Sequence, residues 1–136
     1  SLDQVSAGVG LITLALAAVS LVIGGIGIAN VQVISVRERT REIGLRLAIG
    51  APRRDVLAQF VLEAAILSTA GGLAGVACAV GIGLLLGFVL SGFSAVPPLW
   101  AVAAGLVASC GVGVVAGYWP ARQASRLDPV EALRYE

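Results

Sequence analysis

The stretch Val36–Leu57, VRERTREIGLRLAIGAPRRDVL, decides how this chain is organised. Six of the nine arginines lie between Arg37 and Arg54, and long apolar stretches flank this basic island on both sides. A segment of about 20 residues is too short to fold as a domain. It can act as a handle at the end of something larger.

Working outward, the positions of the charges are more informative than their number. Hydrophobic residues make up 58% of the chain and charged residues 12%, against roughly 25% charged in a typical soluble domain. No charged residue occurs from Gln4 to Val36, and none from Ala64 to Ala121. A membrane span needs about 20 apolar residues, so the first run holds one helix and the second holds two. The reading is an all-α membrane protein with three transmembrane helices, at about 9–36, 59–91 and 99–119. A cytoplasmic extension and short helix occupy 37–57, and a tail occupies 121–136. The first span is too long for a signal peptide and lacks the basic flank of one.

Arginine placement also orients the chain. All nine arginines lie in Arg37–Arg54 or Arg122–Arg134, and the positive-inside rule assigns both segments to the cytoplasm. The N-terminus and the uncharged link Ser91–Pro98 are then outside. An odd number of spans demands opposite termini, which agrees. Net charge is +1 and the island serves topology, so no nucleic-acid partner is expected. Cys78 and Cys110 both fall in apolar runs and read as small core residues.

Within the island, Arg37, Glu38, Arg39, Arg41, Glu42 and Arg46 form an amphipathic continuation of the first span. Nothing obvious stops the helix at the membrane surface, and Glu42 precedes Arg46 at the favourable i,i+4 spacing. Gly50 supplies a C-terminal cap, and Pro52 suits the first turn of a new helix. Gly50, Ala51, Pro52, Arg53, Arg54, Asp55, Val56 and Leu57 therefore predict a short separate helix, with Asp55 favoured in its first turn.

The second span carries small residues at spacing four: Gly71, Gly75, Ala79, Gly83 and Gly87. The third repeats the device at Ala101, Gly105, Ser109, Gly113 and Gly117. Both patterns predict close helix packing. Gly24, Gly25 and Gly27 permit close approach or a bend in the first span. Asn30 either bonds across a helix interface or sits at the headgroups. Glu63 pairs with an arginine at the cytoplasmic boundary or lines a functional interface. Trp100 and Tyr118–Trp119 read as interfacial anchors, and Pro120 as the helix end. Asp128-Pro129-Val130-Glu131 has the form of a helix start. The short helix after it presents Val130 and Leu133 either to a partner or to the membrane surface.

Gly24-Gly25-Ile26-Gly27-Ile28-Ala29-Asn30, then Val36–Arg46 and Gly50-Ala51, closely resemble the C-terminal membrane portion of MacB-like ABC transporter permeases, in the FtsX/LolC/LolE permease superfamily. Phe60-Val61-Leu62-Glu63-Ala64 and the terminal run Tyr118–Glu136 look like the same family. The resemblance covers essentially the whole chain. It implies a four-span permease in which an extracytoplasmic domain follows the first span, and of which this chain is the last three spans. It further implies that Gly50–Leu57 is a coupling helix docking on an ABC ATPase, and that a second permease copy completes a dimer. ATP and Mg would be bound by the ATPase and no cofactor by this chain. A periplasmic adaptor and an outer-membrane channel are further partners of such systems, besides the lipid bilayer itself. The location implied is the bacterial inner membrane.

Three function classes compete for a chain of this kind. An ABC permease would couple cytoplasmic ATP hydrolysis to extracytoplasmic movement for export of drugs, peptides or envelope compounds. A lipoprotein-releasing or division-type permease would instead act as a transmembrane regulator or scaffold. A membrane-embedded enzyme needs a base or metal beside a nucleophile, and a chain with no histidine and no intramembrane aspartate assembles neither. It also lacks lysine, which a Walker A loop requires, so nucleotide chemistry is expected elsewhere.

Overall fold

A computed structural model describes residues 1–90 and 96–134. Most of the link Ser91–Pro98 and the last two residues fall outside the described residues. Five helices follow in order: α1 (Leu2–Glu38), α2 (Thr40–Ala48), α3 (Arg53–Val89), α4 (Leu99–Ser125) and α5 (Pro129–Arg134). The chain is all-α among the described residues, and α1, α3 and α4 are long and apolar enough to cross a membrane.

The three long helices exceed what a bilayer requires. At 1.5 Å per residue α1 and α3 are each about 55 Å long, against about 30 Å of hydrocarbon. Both therefore reach beyond it at one end or both. α3 and α4 form an antiparallel pair with the most extensive contact in the molecule. α1 packs chiefly on α4 and only slightly on α3, while α5 lies against α2.

Three expectations about helix boundaries are corrected. First, Arg53–Leu57 is the opening turn of the 37-residue α3, not a separate helix. Pro52 is its extended N-cap residue, and nothing in the next turns interrupts the hydrogen-bond ladder. Second, the short separate helix is α2, divided from α1 at Arg39 (φ −103°, ψ 11°). The Thr40 hydroxyl donates to the carbonyls of Val36 and Arg37, a back-bonding that bends helices. Third, α4 runs through Pro120 to Ser125. The lost N–H breaks one bond, but the proline ring is fully buried, and its packing holds the helix together.

Apolar burial between helices drives little association within lipid; close packing of small residues takes its place. On α3 the contact face is Ala64, Ser68, Gly72 and Val76, all buried or half-buried. A Cβ at Gly113 would press on Ser68 and lie 2.9 Å from the Ala64 carbonyl oxygen, and one at Gly117 would press on Ala64. Ser109 Oγ donates to the Ser68 carbonyl at 2.6 Å. The α4 ladder thus packs through Ser109, Gly113 and Gly117, while Gly105 is open. On α3 the ladder divides. Gly83 and Gly87 are buried and half-buried, whereas Gly71, Gly75 and Ala79 face outward, one position round from the working face. The phase of a helix is set by which residues meet a neighbour, and Gly72 rather than Gly71 meets Ser109 and Leu106.

Candidate functional site

The island forms a corner, and α2 with the turn after it is its tip. Gly50 has φ +98°, the one positive φ among the described residues. Its N–H bonds the Leu47 carbonyl at 3.2 Å, and the Ala51 N–H bonds that of Arg46 at 3.0 Å. This paired closure is a Schellman motif, which needs a left-handed residue, and glycine adopts that conformation without a Cβ penalty. The chain then reverses through Ala51-Pro52 into α3.

Beneath the tip lies the main apolar cluster. Val36, Ile43, Val56, Phe60, Ala121 and Ala124 are buried together, with Leu47, Leu57, Val61 and Leu127 packed against them. These residues come from α1, α2, α3, α4 and the segment after α4, so the corner ties every span to one knot. α5 closes it from the side. Asp128 Oδ1 accepts from the Val130 N–H at 2.9 Å, as expected for an N-cap. Ala132 is buried so closely on Gly44 that a Cβ at Gly44 would collide with it. Val130 and Leu133 remain exposed; α5 docks on its own chain through Ala132.

Polar ties reinforce the corner. Arg39 Nη1 lies 3.9 Å from Glu63 Oε2, across the α1–α2 joint to α3. Arg46 pairs with Glu42 on its own helix and donates to Gln59 Oε1 at 2.8 Å on α3. Arg54 lies 3.7 Å from Asp55. All three ion pairs are well exposed, a setting in which each contributes under about 1 kcal/mol.

The sequence-predicted residues divide in a simple way. Val56 is buried and Leu57 and Ala51 half-buried, so they belong to the knot. Gly50, Pro52, Arg53, Arg54 and Asp55 are exposed, as are Arg37, Glu38, Arg39, Arg41, Glu42 and Arg46. Between these charges two large apolar side chains point outward: Ile49 at 79% exposure and Leu45 at 53%. An apolar tip ringed by guanidinium groups is suited to a groove with an apolar floor and acidic rim.

Gln32 escaped the sequence reading, which singled out Asn30. Asn30 is exposed, whereas Gln32 is 2% exposed and its Oε1 has no donor among the described residues. Its spacing of seven from Gly25 and four from Val36 places it on the buried face of α1, and that phase was its only signal. The cysteines are free, with Cys78 exposed rather than in the core. No group of three His, Cys, Asp or Glu side chains suited to a metal occurs among the described residues.

Residues 14–129 match the family described as FtsX-like permease C-terminal. The chain belongs to the FtsX-like permease C-terminal family. Similarity along nearly all of this chain agrees. The chain is 48% identical over all 136 of its residues to the macrolide export ATP-binding/permease protein MacB of Bdellovibrio bacteriovorus, covering 21% of that protein. It is 47% identical over 133 residues to MacB of Rhodopirellula baltica, covering 98% of this chain and 19% of the relative. It is 52% identical over 124 residues to the pyoverdine export ATP-binding/permease protein PvdT of Pseudomonas fluorescens, covering 90% of this chain and 18% of the relative. The chain thus spans about a fifth of the length of these curated relatives. As an FtsX-like permease segment it is a multi-pass membrane protein with three apolar spanning helices.

Proposed function

We propose that this chain is the force-transmitting part of a MacB-like ABC transporter permease. In this reading, ATP hydrolysis on an associated or fused ATP-binding unit, which also holds ATP and Mg, moves the corner. The spans carry that movement to an extracytoplasmic part of a four-span permease, paired with a second copy. The arginine-bearing ends lie in the cytoplasm and the start of α1 outside, as the positive-inside rule requires. Relatives named for macrolide and pyoverdine export favour efflux of small envelope or drug-like compounds over lipoprotein release, with an adaptor and outer-membrane channel as further partners.

One observation carries the reading. The exposed tip, Leu45, Ile49, Arg53 and Arg54, is rigidly joined through Val36, Ile43, Phe60 and Ala121 to all three spans. A load applied there cannot move one span without the others. The coupling surface is consequently the C-terminal half of α2 with the Gly50 turn and the first residues of α3, slightly earlier in the chain than a helix at 50–57. Ile49→Glu combined with Arg53→Glu and Arg54→Glu in the full-length protein should abolish coupling of ATP turnover to export in proteoliposomes while assembly persists. Unchanged coupled turnover would remove the tip from the mechanism.

A further inference from the structure

We propose that the seam between α1 and α4 is a binding site for one anionic phospholipid of the leaflet on the arginine side. Two cavities lie along this seam. In the span, an almost wholly apolar groove of about 620 Å³ is lined by Val22, Ile26 and Ala29 of α1 and by Val112, Val115 and Ala116 of α4. Further along, a more enclosed and more polar pocket of about 450 Å³ is lined by Val33, Val36, Arg37, Thr40, Gln123 and Leu127.

Helical spacing makes them one feature. On α1 the lining residues follow one another at three and four positions from Val22 to Arg37, and Thr40 at the start of α2 continues the spacing. On α4, Gln123 stands two turns beyond Ala116, so both cavities open on the same side of the helix pair. The groove begins about 12 Å along α1 from Arg37, within the roughly 15 Å depth of one leaflet. That is the layout of a phospholipid, with acyl chain in the groove and phosphate in the pocket.

Charge selects the headgroup. The three ion pairs among the described residues use Arg39, Arg46 and Arg54, and none uses Arg37. Glu38, its sequence neighbour, does not line the pocket. The Thr40 hydroxyl already donates to backbone carbonyls, which leaves the Arg37 guanidinium and the Gln123 amide as donors. A guanidinium bonds phosphate through two parallel N–H groups, and basic pockets between spans near the cytoplasmic face favour anionic headgroups. A lipid held here would brace the joint where α1 passes into α2.

The inference rests on the proposed orientation only for the choice of leaflet. The test is lipid retention by the full-length protein in detergent, measured by native mass spectrometry with phosphatidylglycerol, phosphatidylcholine or inorganic phosphate added. Phosphatidylglycerol should be retained over phosphatidylcholine, and Arg37→Gln should lower its retention about fivefold. Gly111 also lines the groove, and a Cβ there meets nothing within 4 Å. Gly111→Leu should therefore fill the groove and displace the lipid without disturbing the helices, checked by an unchanged Tm. Equal retention of both lipids, undiminished retention in either variant, or full displacement of phosphatidylglycerol by an equal concentration of phosphate would overturn the site. Orientation is read separately, by labelling Ala48→Cys in sealed vesicles after replacing Cys78 and Cys110. A reversed label would overturn the cytoplasmic assignment while leaving lipid retention to be judged on its own result.

Discussion

The two ends of this molecule are built differently. At the arginine end five segments converge on Val36, Ile43, Val56, Phe60, Ala121 and Ala124, and α5 seals the side. At the other end the first 22 residues of α1 are exposed throughout, save a half-buried Gly8, and α1 first meets α4 closely at Gly25, whose Cβ would lie 3.0 Å from Val112 Cγ1. One end is a knot; at the other, the start of α1 stands clear of the other described helices. Water explains part of the contrast. An apolar cluster outside the hydrocarbon gains from burial, whereas a side chain already in lipid gains little by moving against another helix.

The sharpest way to break that contrast compares the same residue type at both ends. Phe60 is 2% exposed in the knot and Phe88 is 90% exposed near the far end of α3. Phe60→Ala should destabilise the protein by about 3–5 kcal/mol, read as a large fall in Tm in detergent, while Phe88→Ala should leave Tm unchanged. Equal effects would mean that the knot is not the stable part.

A second pair tests which glycines hold the spans together. Gly117→Val should cost about 1–3 kcal/mol through overpacking on Ala64, and should loosen α3–α4 cross-linking. Gly75→Val, with open space around its Cβ, should leave both unchanged; a loss there would point to a partner on that face.

The smallest effect belongs to the exposed Arg39–Glu63 pair. A double-mutant cycle with Arg39→Gln and Glu63→Gln should give a coupling energy under about 1 kcal/mol that fades with added salt. A larger value would make this tie a main fastening of the α1–α2 joint to α3.

Much of this was legible from residue order. Charge-free runs located three spans because a bilayer tolerates few charges and demands a minimum length. Gly50 announced a reversal because its conformation is local, and Asp128-Pro129 announced α5 for the same reason. A separate short helix at 50–57 is what the residues suggest because Pro52 is equally at home as a helix N-cap and inside a first turn; in the structure that stretch runs on into α3. Pro120 reads as a stop because its missing bond is visible in sequence, whereas the buried contacts that offset it are not.

What the sequence determined by itself is thus local or set by the solvent: span number, the turn at Gly50, and the concentration of arginines at one end. The tertiary structure alone decided helix phase and partnership. Gly71 and Gly72 are chemically identical and adjacent, and only the approach of Ser109 selects Gly72. Asn30 and Gln32 differ by two positions, about 200° around a helix, and only the packing of α1 leaves Asn30 exposed and Gln32 buried. A helix carries its residues on every face, and which face becomes an interface depends on where the neighbouring helix lies.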